Sequence, residues 1–175
     1  IFAGNDSDVV FGGIGADLLD AGTDAGLDIV VGDNGTAIFN SAGILTEIET
    51  SDPEFGGADG IIAGNGFDVV FGGSGSDGIN ADNETDGDAA RDIVVGDNGK
   101  ATFDDQGVLI DIRTTIANIG GADLISTGAG PDVVLGGSAA DLINAGEDDG
   151  EDVILGDNGL ALFDSVAGQS VLRTL

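Results

Sequence analysis

The sequence predicts an all-β fold, a roll of short parallel strands stacked one coil on the next and joined by glycine–aspartate turns. Three observations carry that expectation. Glycine supplies 33 of 175 residues, the hydrophobic residues fall in short β-branched clusters such as Val9-Val10-Phe11 and Ile93-Val94-Val95, and both recur in step with aspartate.

The recurrence has two scales. Gly-Asp-Asn-Gly stands at 32–35, 96–99 and 156–159, and Gly-Gly pairs at 12, 72 and 136 repeat with the same two spacings in reverse order, so one unit is 60 to 64 residues long. The second copy divides into 56–62, 63–71, 72–80, 81–95, 96–104 and 105–119, which exposes a shorter period of nine. The expected organisation is a single repeat array over 1–175, with approximate units 1–55, 56–119 and 120–175. The array starts and stops inside a unit and is expected to be a piece of a longer chain.

Each segment reads as a turn followed by a strand. The turn aspartates are Asp8, Asp17, Asp28, Asp59, Asp68, Asp77, Asp92, Asp123, Asp132, Asp141 and Asp152. Two residues after each stands an aliphatic: Val10, Leu19, Val30, Ile61, Val70, Ile79, Val94, Ile125, Val134, Ile143 and Ile154. Coils about 4.8 Å apart, two segments to a coil, would stack these aliphatics into one core ladder. After Asp8, Asp28, Asp68, Asp92, Asp132 and Asp152 the next three residues are all apolar, whereas after Asp17, Asp77 and Asp141 the third is Asp20, Asn80 or Asn144. The first group therefore forms a sheet that is apolar on both faces. Its outer face needs a cover, from an arm of the same chain or from another chain.

Gly-Asp-Asn-Gly departs from this scheme, because the expected aspartate is Ala37, Ala101 or Ala161. Two readings stand open. One is a metal-poor coil, to whose neighbours Asp33, Asp97 or Asp157 contribute. The other is a hairpin across 30–39, followed by a turn such as Asp104-Asp105-Gln106-Gly107 and a strand at 108–112.

Charge shows what the turns are for. Asp and Glu number 33 against four basic residues, a net charge of -29 that opposes compaction unless counter-charges sit inside. Turns on one side of a roll come into register every second segment. That brings the carboxylates together with the carbonyls of Gly13, Gly15, Gly64, Gly66, Gly73, Gly75, Gly128, Gly130 and Gly137. A hard cation taking six to eight oxygens converts the repulsion into a reason to fold. Oxygen-only donors, many of them backbone carbonyls, favour several calcium ions over magnesium. Acids on a merely solvated surface, or Asx-turns formed one at a time, would not keep step with glycine.

The sites are not expected to be uniform. Gly56-Gly57-Ala58-Asp59 and Gly120-Gly121-Ala122-Asp123 lack two turn residues, and the turns before Asp28, Asp92 and Asp152 are longer. In the longest, Asp82-Asn83-Glu84-Thr85-Asp86-Gly87 begins like an EF-hand but has Ile93 at the twelfth position in place of the terminal Glu.

Segments 12–20 and 72–80 match G-G-x-G-x-D-x-U-x, where U is a large aliphatic, and 136–144 keeps the Asp but loses one Gly. This resembles the RTX, or hemolysin-type, calcium-binding nonapeptide repeat family, here as a long-unit variant. The resemblance implies a calcium-loaded β-roll, export by type I secretion and an extracellular or cell-surface location. It suits a structural repeat region, an adhesin stalk or a filament subunit that associates with copies of itself. The alternative is the C-terminal folding and secretion module of an exported enzyme or toxin. Catalysis is not expected. There is no Cys or His, and the adjacent acids Asp104-Asp105 suit a turn better than a glycosidase pair. With only Arg91, Lys100, Arg113 and Arg173 as cations, nucleic acid is excluded, and no stretch approaches the roughly 20 apolar residues of a membrane span.

Overall fold

A computed structural model describes residues 1–82 and 89–173. The first copy supplies β1 (Val9–Phe11), β2 (Leu18–Asp20), β3 (Ile29–Val31), β4 (Gly35–Phe39) and β5 (Leu45–Thr50), then a single 3-10 turn at Pro53–Phe55. The second supplies β6 (Gly60–Ile62), β7 (Val69–Phe71), β8 (Gly78–Asn80), β9 (Ile93–Val95), β10 (Gly99–Phe103) and β11 (Leu109–Thr114). The third supplies β12 (Leu124–Ser126), β13 (Val133–Leu135), β14 (Leu142–Asn144), β15 (Val153–Leu155), β16 (Leu160–Val166) and β17 (Gln169–Leu172). The EF-hand-like stretch lies largely outside the described residues.

The strands make three layers. A central parallel sheet runs β1-β3-β7-β9-β13-β15, and an outer parallel sheet runs β2-β6-β8-β12-β14. In both, spatial order follows chain order, so the chain winds forward as a roll. The predicted ladder is aligned rung on rung: Val10 opposite Val30, Val30 opposite Val70 and Val70 opposite Val94 in the central sheet, and Leu19 opposite Ile61 and Ile61 opposite Ile79 in the outer sheet. These side chains fill the space between the two sheets, together with Ala21, Ala63 and Ala81. Ile154 is the exception. It is 48% exposed because the outer sheet ends at β14 and places nothing opposite β15.

The third layer is an antiparallel sheet of hairpins, ordered β4-β5-β10-β11-β16-β17. It covers the far face of the central sheet, where Val31, Phe71, Val95 and Leu135 pack against Ile48, Ala101, Phe103 and Ile112. The cover for the doubly apolar sheet thus comes from the same chain. Of the two readings of Gly-Asp-Asn-Gly, the arm is the one observed, with a correction. That tetrapeptide does not turn the hairpin; it is the corner where the chain leaves the central sheet. The turns of the first two hairpins lie at 40–44 and 104–108, closed by Asn40 Oδ1 accepting from the amides of Ala42 and Ile44 and by Asp104 Oδ1 accepting from those of Gln106 and Val108.

Each complete unit adds two strands to the central sheet and two to the hairpin sheet. Neighbouring strands sit about 4.8 Å apart in any sheet, so the two layers advance at one rate. Hairpins of successive units therefore pair directly, Lys100 opposite Glu49 and Arg113 opposite Leu160. Lys100 also bridges Glu47 and Glu49 at 2.8 and 3.0 Å.

Candidate metal centre

The roll has two edges, and the turn aspartates form a row on each. On the edge leading into the outer sheet, Oδ1 of Asp59, Asp77, Asp123 and Asp141 accepts from the backbone amide of Asp17, Asp59, Asp77 and Asp123 respectively, at 2.7 to 3.0 Å. On the edge leading into the central sheet, Oδ1 of Asp28, Asp68, Asp92, Asp132 and Asp152 accepts from the amide of Asp8, Asp28, Asp68, Asp92 and Asp132, again at 2.7 to 3.0 Å. Every turn aspartate named from the sequence falls in one of these rows. Asp59 and Asp123 do so despite their shortened motifs.

In several of these residues the second carboxylate oxygen has no such partner. Oδ2 of Asp8, Asp17, Asp28, Asp77 and Asp141 is buried without a hydrogen bond, a costly arrangement for a charged atom. The space it faces is defined by glycine. A Cβ built on Gly12, Gly72 or Gly136 would lie 3.0, 2.6 or 2.5 Å from Oδ2 of Asp17, Asp77 or Asp141, and would collide with the carbonyl oxygen of Gly32, Gly96 or Gly156 in the next coil. Each of these three turns thus holds a cradle lined by a carboxylate oxygen and a carbonyl oxygen that only a glycine leaves open. Among the described residues no group of three or more acidic side chains converges on one point. A cation here would draw much of its shell from backbone carbonyls, which suits a large, adaptable oxygen cage.

The carbonyls that reach these cradles belong to the leading glycines of the turns, which the sequence reading did not include. Their signal was the glycine that follows each central strand, at Gly12, Gly32, Gly72, Gly96, Gly136 and Gly156. The glycines it did name do other work on this edge: Gly13, Gly73 and Gly137 hold positive φ of 100°, 107° and 113°, and Gly15 and Gly75 lie where a Cβ on Gly57 or Gly121 would collide with their carbonyls. On the opposite edge the structure adds Asp24 and Asp148. Oδ1 of Asp24 and Oδ2 of Asp148 lie 3.2 and 3.0 Å from a Cβ built on Gly22 and Gly146, beside the carbonyls of Gly4 and Gly128. Their shared place in the turns at 22–28 and 146–152 was the legible clue. Asp132 differs from its row, because Thr127 donates its hydroxyl to Oδ2 at 2.6 Å.

Asp33 and Asp97 are spent on structure. Asp33 accepts from the amides of Gly57 and Ser74, and Asp97 from those of Gly121 and Ser138. Asn98 donates backward to Ser74 Oγ at 3.1 Å and forward to the Ile119 carbonyl at 3.2 Å. The tetrapeptide at Gly96 is therefore tied to the coil ahead through both Asp97 and Asn98, and to the coil behind through Asn98. Asp157 stands exposed at the last coil.

Burial, reinforced by neighbouring carboxylates, pushes Asp77 up to about 8 and Asp123 up to about 7. Burial is also the main cause that raises Asp28, Asp59 and Asp132 to about 6. Without a cation these groups resist ionisation in the fold.

Paired rows of buried carboxylate and carbonyl oxygens along a parallel roll define a protein built around cations. The family profile described as RTX calcium-binding nonapeptide repeat (4 copies) matches residues 1–27, 55–86 and 119–150, just over half of the chain. The chain belongs to that family, a calcium-binding structural repeat that occurs in secreted proteins. No curated protein and no solved structure matches it.

Proposed function

We propose that this chain is a calcium-stiffened structural region of a secreted or cell-surface protein, an adhesin stalk or filament subunit that folds when it meets calcium after export. The observation that carries the reading is the equal advance of the roll and hairpin layers, two strands of each per unit. Units so built extend without accumulating mismatch, as a spacer requires. The approximate units 1–55, 56–119 and 120–175 are its modules. The row aspartates, from Asp8 to Asp152, supply the carboxylate ligands and the turn glycines the carbonyls.

Calcium contributes positive charge where buried carboxylates face one another. Its binding free energy thereby becomes folding free energy. In calcium-poor cytosol the net charge of -29 keeps the chain loose. Circular dichroism during calcium titration tests this. Chelated protein is expected to lack the β-signal and to gain it cooperatively with calcium, whereas full β-structure in excess chelator at neutral pH would overturn the proposal. In the parent sequence, further units on both sides are expected; a catalytic domain upstream would make the region an export module instead.

A further inference from the structure

The coils that carry the hairpins break the nonapeptide. Their leading glycines, Gly32 and Gly96, lie outside the segments matched by the family, and a whole hairpin separates each from its turn aspartate, Asp59 or Asp123. The sequence alone leaves these segments open between a metal-poor coil and a hairpin arm, and the motifs of Asp59 and Asp123 two turn residues short. The returning chain nevertheless rebuilds the turn. Gly56 pairs in parallel with Gly15 of the neighbouring coil, and Asp33 and Asp97 tie the two halves by accepting from the amides of Gly57 and Gly121 at 3.0 and 2.8 Å.

The rebuilt turns present the same oxygens as the intact ones. Asp59 and Asp123 are 4% and 3% exposed, and their Oδ2 atoms are buried without a hydrogen-bond partner. A Cβ on Gly32 would collide with Oδ2 of Asp59 and the carbonyl of Gly72; one on Gly96 would collide with Oδ2 of Asp123 and the carbonyl of Gly136. This is the pairing found over Gly12, Gly72 and Gly136: the turn's own carboxylate with the leading carbonyl of the next coil.

Resting on the calcium reading above, we propose that the split turns Gly32/Asp59 and Gly96/Asp123 each hold a calcium ion, so that the cation row on this edge runs unbroken past every hairpin. Each such ion ties the two ends of a hairpin at its base. Calcium then orders the hairpin sheet as well as the roll, and the arm docks on the central sheet only in loaded protein.

Crystals of the wild-type chain grown with calcium, measured at a wavelength where calcium scatters anomalously, give the direct test. Peaks are expected over Gly12, Gly32, Gly72, Gly96 and Gly136 alike. A gap at Gly32 or Gly96 with peaks at the other three would overturn this proposal and leave the calcium reading standing; no peaks at all would remove both. In solution, Asp59→Asn with Asp123→Asn keeps the Oδ1 acceptor for the amides of Asp17 and Asp77. The calorimetric calcium count of this double variant is expected to fall by two, and that of Asp77→Asn by one. A full count in the double variant alongside a loss in Asp77→Asn contradicts the split sites. Should the double variant fail to fold, the wild-type anomalous map decides.

Discussion

Ala139 occupies a place in its turn that Gly15 and Gly75 fill in the first two copies, and it adopts φ of 76° where they have 87° and 122°. An L-residue with a Cβ costs roughly 1–2 kcal/mol in that region. Ala139→Gly is therefore expected to stabilise the calcium-loaded protein by about 1 kcal/mol, read as a higher denaturant midpoint; a lower midpoint would show that the turn is not left-handed there. The raised carboxyls set a pH dependence whose sign follows from linkage. Folded values of about 6 to 8, above the ordinary value of 3.8, mean that the metal-free fold has its full share of this stability below about pH 4. It loses that share as pH rises through 6 to 8. Chelated protein is thus expected to hold most β-structure in mild acid and least above pH 8, with a flat profile in saturating calcium. A chelated β-signal that grows with pH would contradict the burial of Asp77 and Asp123.

At the scale of elements, the central sheet owes its rigidity to cover on both faces. Phe71 is fully buried in the layer between that sheet and the hairpins. Phe71→Ala leaves a cavity there and is expected to cost about 3–5 kcal/mol, measured as a fall in the unfolding midpoint at saturating calcium. Amide exchange in β5 and β10 should rise along with it; unaltered exchange would mean that the hairpins do not depend on that layer. The strands of the roll were legible because each carries its aliphatic two residues after an aspartate. The corner at Gly-Asp-Asn-Gly was not, since Asp33 and Asn98 take their partners from coils 21 to 41 residues away in the chain. No local pattern reports such partners.

For the whole molecule, the equal advance of roll and hairpins makes the unit, not the nonapeptide, the module that can be removed. Deleting 56–119 keeps coils and hairpins in step. It is expected to leave β-ellipticity and bound calcium per residue unchanged in loaded protein. Deleting 63–80 removes one coil but no hairpin strand, so the hairpin sheet overshoots the sheet beneath it and the protein is expected to fold incompletely. Equal behaviour of the two deletions in circular dichroism and calcium binding would refute the matched layers.

The sequence by itself determined the parallel roll, the core ladder from Val10 to Ile143, the rows of turn aspartates and the sheet with two apolar faces. All of these are periodic, and a stack of coils turns periodicity along the chain directly into neighbours in space. Only the tertiary structure decided what covers the second apolar face, and that the segments around Gly32 and Gly96 belong to turns completed by Asp59 and Asp123. Those outcomes depend on where the chain returns after leaving the roll. The return is set by packing between sheets and by hydrogen bonds from one coil to the next, which no spacing of residue types encodes.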